Sequence, residues 1–365
     1  MKNKTNPQNY HDYLKLESLL SCQELLSDQA GEKAHDEMLF IITHQVYELW
    51  FKQILFELDS IFEVFDRDKI DESHIGVVVG RLERINEIQQ LLIDQIKILE
   101  TMTPMDFLNF RDLLTPASGF QSAQFRLIEN KFGLKNINRH GYGGVDYKSK
   151  IDKRETELVQ ESEESLSLFD LIEQWLERTP FLVFDEFDFW DQYRVAVQRM
   201  ITKDKNIIKV NEKLPKDEKE NYLKQYKSTE KMFMSFFDEE IFSKRLESGE
   251  NRLSYKATHA ALLILLYRDQ PILHNPYRLL SKLIDLDELL TTWRYKHYLL
   301  ATRMIGRKIG TGGSVGASYL KKATSKHRIF DDLTSLTTFL IPRSDLPDLP
   351  KKVLKSLSFY YESKG

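Results

Sequence analysis

Two histidines in this chain of 365 residues stand where an apolar residue is expected. From Phe40, positions 40, 44, 47, 51, 54, 58, 61 and 65 read Phe, His, Tyr, Phe, Ile, Leu, Ile, Phe. From Leu279, positions 279, 283, 286, 290, 293, 297, 300 and 304 read Leu, Leu, Leu, Leu, Trp, His, Leu, Met. Alternating steps of three and four define one buried face of a helix, so His44 and His297 each interrupt a core stripe. Burying an imidazole costs free energy unless its nitrogens find partners. The plain reading is a hydrogen bond to a carbonyl or carboxylate across a helix interface, and His259, near Tyr255, Leu262 and Leu266, is a third candidate on the same grounds. The sharper reading is that two inward histidines on facing helices hold or flank a cofactor, neutral imidazole being a common axial ligand of haem iron. A di-iron carboxylate centre would need two Glu-x-x-His pairs, and only Glu32-Lys-Ala-His35 fits.

Phe107, Arg111 and Leu114 share a helical face, which sets a guanidinium beside apolar groups and calls for an anionic partner. A carboxylate held bidentately suits it, whether from a ligand or from an internal Asp or Glu. Thr115 to Gln121 then breaks one helix and starts another, with Ser118 and Gln121 in capping-box spacing. The glycine run Gly310 to Gly316 follows a helix rather than a strand and lacks a Gly-Lys-Ser/Thr end, which excludes a nucleotide loop. It reads as a loop closing over a ligand through Thr311, or as a plain connection.

The elements that must position these residues are helices. Besides the two stripes, 72–102 and 165–176 read as helical, and no stretch combines strict apolar alternation with hairpin turn residues. The fold class is all-α. Lys131 to Glu164 reads as a glycine-bearing loop leading into a helix, and 202–231 as a solvated helical excursion too poor in apolar residues for a core of its own. A single domain over 1–365 is the simplest organisation. The net charge of -4 argues against nucleic acid and anionic membrane as partners. One cysteine, Cys22, and the lack of an apolar leader or span in the sequence point to a reducing, cytoplasmic setting.

Three blocks carry a likeness that no single motif does: His35 to Lys52 (HDEMLFIITHQVYELWFK), Phe110 to Ser122 (FRDLLTPASGFQS), and Trp293 to His297 (WRYKH) followed by Arg303 to Gly306 and Gly310 to Ser314. In this order, from about Tyr10 to Arg343, the chain closely resembles the tryptophan 2,3-dioxygenases. The resemblance implies a helical bundle of the tryptophan/indoleamine dioxygenase type, assembled as a homotetramer with one haem b (iron protoporphyrin IX) per chain. It implies cleavage of the indole C2–C3 bond of L-tryptophan by O2 to give N-formyl-L-kynurenine, which opens the kynurenine route of tryptophan catabolism. His297 becomes the proximal iron ligand and His44 faces the substrate, orienting it through the indole N–H. Phe40 and Phe107 wall the indole ring, Arg111 holds the carboxylate, and Thr311 contacts the ammonium and carboxylate end. Ser118 lies near the haem edge. Tyr10 and Leu14, on an arm of about 1–30, reach a neighbouring subunit's pocket. Trp293, one turn before His297, supports the ligand or simply packs.

The sequence departs from the common family pattern at Val315, at Ala317-Ser318 and at Phe107, where some members have tyrosine. The last departure leaves Arg111 with more of the carboxylate to hold. A haem protein without turnover, or a relative inserting one oxygen into a modified tryptophan, are the alternatives.

Overall fold

The computed structural model describes residues 9–67, 70–134, 147–179, 183–184, 187–306, 308, 320–321, 324 and 327–357. In chain order the helices are α1 (Tyr10–Leu14), α2 (Leu16–Leu20), α3 (Leu26–Gln29), α4 (Glu37–Phe65), α5 (Glu72–Leu99), α6 (Pro104–Arg111) and α7 (Ala123–Phe132). They continue as α8 (Lys153–Glu164), α9 (Leu168–Glu177), α10 (Phe189–Val210), α11 (Lys216–Phe236), α12 (Glu239–Glu247), α13 (Tyr255–Leu266), α14 (His274–Ile305), α15 (Asp331–Ser335) and α16 (Lys351–Leu357). The all-α reading holds, with one correction: Val183–Phe184 and Phe187–Asp188 pair as a two-residue antiparallel ladder, too short to show as alternation in sequence.

Local chemistry sets the helix ends. Asp71, Thr103 and Ser167 close capping boxes on α5, α6 and α9, and Pro104 takes the first helical position where its missing N–H costs nothing. Gly133 ends α7 at φ 115°, and a Cβ there would lie 2.6 Å from Phe169 Cβ, so this helix end and α9 approach only because the residue is glycine. α6 stops at Arg111, so Leu114 lies on the following 3-10 turn (Asp112–Leu114) rather than on the same helical face as Phe107.

The two apolar stripes meet through α5, which packs on both α4 and α14. Each stripe is divided. On α4, Phe51, Ile54, Leu58, Ile61 and Phe65 are buried against α5, and on α14 Leu279, Leu283, Leu286 and Leu290 are buried likewise. Each fully buried aliphatic side chain there contributes about 1.5–3 kcal/mol. The other halves, Phe40 and His44 on α4 and Trp293, His297 and Met304 on α14, line a cavity. The charged excursion is an antiparallel pair: α10 and α11 pack together, and Lys205 meets Glu230 between them. No described helix is long and apolar enough to cross a membrane.

Candidate active site

A cavity of about 310 Å³ is walled by the first half of α4, the end of α5, α6, residues 118–129 and the last half of α14. His44, Phe40, Phe107, Arg111, Ser118, Trp293 and His297 all line it, so residues spread over more than 250 positions of sequence converge. A surface groove along α10, from Val195 to Val210, is formed by a single helix face and includes none of these residues.

On the α4 side, Phe40, Phe107 and Phe110 form an aromatic wall, with ring centroids 5.5–5.8 Å apart. The His44 ring lies 4.1 Å from that of Phe40, and its Nδ1 is 2.7 Å from the Phe40 carbonyl oxygen. A carbonyl only accepts, so Nδ1 carries the proton, and burial lowers the His44 pKa despite opposing help from that carbonyl and from Glu48. The neutral ring therefore keeps Nε2 as an acceptor. His44 keeps an exposed surface and lines the cavity.

On the α14 side, burial, reinforced by the nearby His44, pulls the His297 pKa down to about 4. The ring is a neutral base, and no hydrogen bond to it occurs among the described residues. The Trp293 ring packs beside it, 5.3 Å away and tilted by 37°. The Trp293 Nε1 is buried beside the Tyr47 hydroxyl, which donates to the Leu92 carbonyl and keeps its lone pairs toward the indole, although no hydrogen bond of good geometry joins the two. Burial pushes that Tyr47 phenol up to about 12, only partly offset by the indole.

The polar residues divide between two groups. Arg111 sits 3.5 Å from Asp112, but the arginine side chain is 17% exposed and its partner 93%, so water competes for the aspartate. Ser118 caps the short turn Gly119–Gln121, as its spacing with Gln121 indicated. The other group is buried: the Glu129 carboxylate bridges Arg126 at 2.7 Å and Arg294 at 2.8 Å, and Arg294 also donates to the His327 carbonyl at 2.8 Å. These lining residues were missed in sequence, together with Tyr47, Phe51, Phe125 and Leu300. The available signal was Arg126 and Glu129 at i, i+3 spacing within an apolar stretch, and Arg294 inside the WRYKH block.

Other expected residues lie elsewhere. His259 does not reach the cavity: its Nδ1 bonds the Tyr255 carbonyl at 2.7 Å and its ring is packed among aromatic side chains. Glu32 and His35 precede α4 instead of sharing a helix, and among the described residues no three His, Cys, Asp or Glu gather as a metal site. Tyr10 and Leu14 are exposed on α1 and line no part of their own chain's cavity. Thr311, Val315, Ala317 and Ser318 lie outside the described residues.

The sequence profile described as tryptophan 2,3-dioxygenase matches residues 1–340. The chain is 53% identical over 356 residues to a protein of that name from Bdellovibrio bacteriovorus, covering 97% of this chain and 99% of the relative. It is 48% identical to the one from Dictyostelium discoideum, covering 96% and 88%, and 46% identical to the one from Xenopus tropicalis, covering 95% and 86%. A profile match across nearly the whole chain, and these identities along almost its full length, establish that the chain belongs to the tryptophan 2,3-dioxygenase family.

Proposed function

We propose that this protein is a haem-dependent dioxygenase that cleaves the indole C2–C3 bond of L-tryptophan with O2, giving N-formyl-L-kynurenine. The observation that carries the reading is the pair of imidazoles, His44 and His297, which two separate helices bring to one cavity lined largely by apolar side chains. The cavity suits haem b: its sides are aromatic and aliphatic, one wall carries Arg126 and Arg294, and it offers the His297 imidazole, to which no hydrogen bond forms among the described residues. His297 would hold the iron through its neutral nitrogen, with Trp293 packed beside it. The porphyrin wall would include Ser118, Phe125 and Leu300. When bound, the haem supplies the iron at which O2 is activated.

The chain's own residues do the positioning. Phe40 and Phe107 flank the indole ring. His44 accepts the indole N–H at Nε2, the nitrogen left as acceptor once Nδ1 is committed to Phe40. Arg111 takes the substrate carboxylate, for which a planar guanidinium offers two parallel donors. The indole gives up no proton in being held this way, so His44 orients rather than acting as an obligatory base. The apolar walls exclude water from the reacting double bond.

Thr311 completes the ammonium end of the substrate, and Tyr10 and Leu14 complete the pocket of a neighbouring subunit in a homotetramer. The exposure of both arm residues supports that role. The whole chain acts as one domain, and its lone exposed cysteine suits a reducing cytoplasm.

An absorption spectrum of the purified ferrous protein, with and without L-tryptophan, tests cofactor and substrate together. A haem band that shifts on adding the amino acid is expected, and a colourless protein or an indifferent spectrum would refute the proposal. Mass analysis of the product under isotopically labelled O2 should find both oxygen atoms incorporated, whereas a single labelled atom would identify a monooxygenase.

A further inference from the structure

The carboxylate of Glu37 is wholly buried, although it stands at the start of α4, only one turn before Phe40. Its Oε1 accepts the Leu26 N–H at 2.9 Å, and its Oε2 accepts the Ser27 N–H at 2.9 Å together with the Ser27 hydroxyl. Ser27, also fully buried, accepts the Ala34 N–H at 2.9 Å through the same hydroxyl oxygen. One side chain therefore draws residues 26–34 into a closed loop. A second tie lies further along α4: Gln45, next to His44, donates to the Cys22 carbonyl at 3.0 Å and accepts from Gln23 at 2.7 Å. Residues 22–34 form a strap pinned to α4 on either side of Phe40 and His44. The strap bears on the aromatic wall through Ala34, which packs in one cluster with Phe40, Phe107, Phe110, Met102 and Met304.

We propose that Glu37 is a positioning residue for substrate binding: by gathering the donors of Leu26 and Ser27 it holds Ala34 behind the Phe40–Phe107 wall and fixes where the strap leaves α4. The proposal rests on the reading of that wall as the indole site. A buried carboxylate that accepts three hydrogen bonds is far more than helix capping requires, because a single side-chain acceptor suffices at an N-terminus. The helix dipole further favours negative charge at this position. The strap leads back to α1 and α2, so the same clasp sets the direction in which Tyr10 and Leu14 project.

The test compares Glu37→Gln, Glu37→Asp, Ser27→Ala and Phe40→Ala in the full-length haem-loaded protein. In Glu37→Gln an amide donor faces a backbone donor, so hydrogen exchange at the Leu26, Ser27 and Ala34 amides should accelerate. KM for L-tryptophan should rise about tenfold, the effect of losing a charged hydrogen bond, while kcat and haem content hold. Glu37→Asp keeps the charge and should recover part of the loss. Ser27→Ala, which removes the hydroxyl donor to Glu37 and the acceptor of the Ala34 N–H but keeps both backbone donors to Glu37, should move KM the same way by a smaller factor, and it carries the test if Glu37→Gln fails to fold. Faster exchange with an unchanged KM would overturn the proposal and leave Glu37 a purely structural clasp, as would unchanged exchange. Phe40→Ala separates the two claims. If it leaves KM unaltered, the wall reading fails; if it raises KM while Glu37→Gln and Ser27→Ala do not, the positioning role alone fails.

Discussion

His297 and His259 are both imidazoles on apolar helices, and burial draws both to a pKa of about 4, yet their surroundings differ in kind. Around His259 every side is filled: Tyr255 lies at 4.0 Å, and Trp190 and Phe236 each at 4.5 Å, ring centroid to centroid. Its Nε2 is buried without a partner, so a desolvated nitrogen with no hydrogen bond is not by itself the mark of a site. Around His297 the described residues supply one aromatic neighbour, at 5.3 Å, and beyond it lies the 310 Å³ cavity with a second neutral imidazole on the opposite helix. What distinguishes the two regions is shape. The aromatic side chains of α10, α11 and α13 fill their interface, whereas the facing halves of α4 and α14 leave room between them.

The contrast breaks most sharply on cofactor content. His297→Ala should purify almost free of haem, while His259→Ala should keep its full complement, measured by the pyridine haemochrome spectrum. The reverse result would move the iron ligand to α13 and end the argument from shape.

Next in size is the polar end of the cavity, where Arg111 lies beside an exposed aspartate and has no tyrosine hydroxyl at position 107 to share its work. Removing one partner of a desolvated charge pair costs on the order of 2 to 5 kcal/mol, so Arg111→Ala should lower kcat/KM for L-tryptophan at least tens-fold. Tryptamine, without a carboxylate, should be a poor substrate of the wild type and lose little more in the variant. Equal losses on both compounds would make Arg111 structural.

The filled cage makes a different prediction, about pH. His259 titrates at about 4 in the folded protein against an ordinary 6.5, so between those values the unfolded chain binds a proton that the folded one refuses. Its contribution is whole above pH 6.5 and is lost as pH falls toward 4, a change on the order of 3 kcal/mol. His259→Phe should flatten that limb in denaturant unfolding measured across the window. An unchanged acid limb would assign it to other groups.

The smallest effect concerns His44. If it only accepts one indole N–H, His44→Ala forfeits about 0.5–1.5 kcal/mol, which is no more than about tenfold in kcat/KM. Loss of all turnover would instead give it an essential proton-transfer role. 1-Methyltryptophan, which has no indole N–H to donate, should react at similar rates in variant and wild type.

The helices were legible in the sequence because their signal is local. A stripe repeating at threes and fours over eight positions has one physical explanation, and the 40–65 and 279–304 stripes fall within α4 and α14. The capping box at Ser118 is equally local, since its bond to Gln121 spans three residues. Periodicity also showed that three histidines face inward. It could not rank them, because a buried face reads the same whether the opposite helix fills it or stands away from it. Only tertiary packing decided that the stripes of α4 and α14 each divide into a packed half and an open half. That same packing placed Arg126, Glu129 and Arg294 together from α7 and α14, and buried Glu37 under a strap whose bonds to its carboxylate span ten residues or more. A buried ion pair between distant segments leaves no period in the chain, for its stability depends on neighbours that sequence order does not specify.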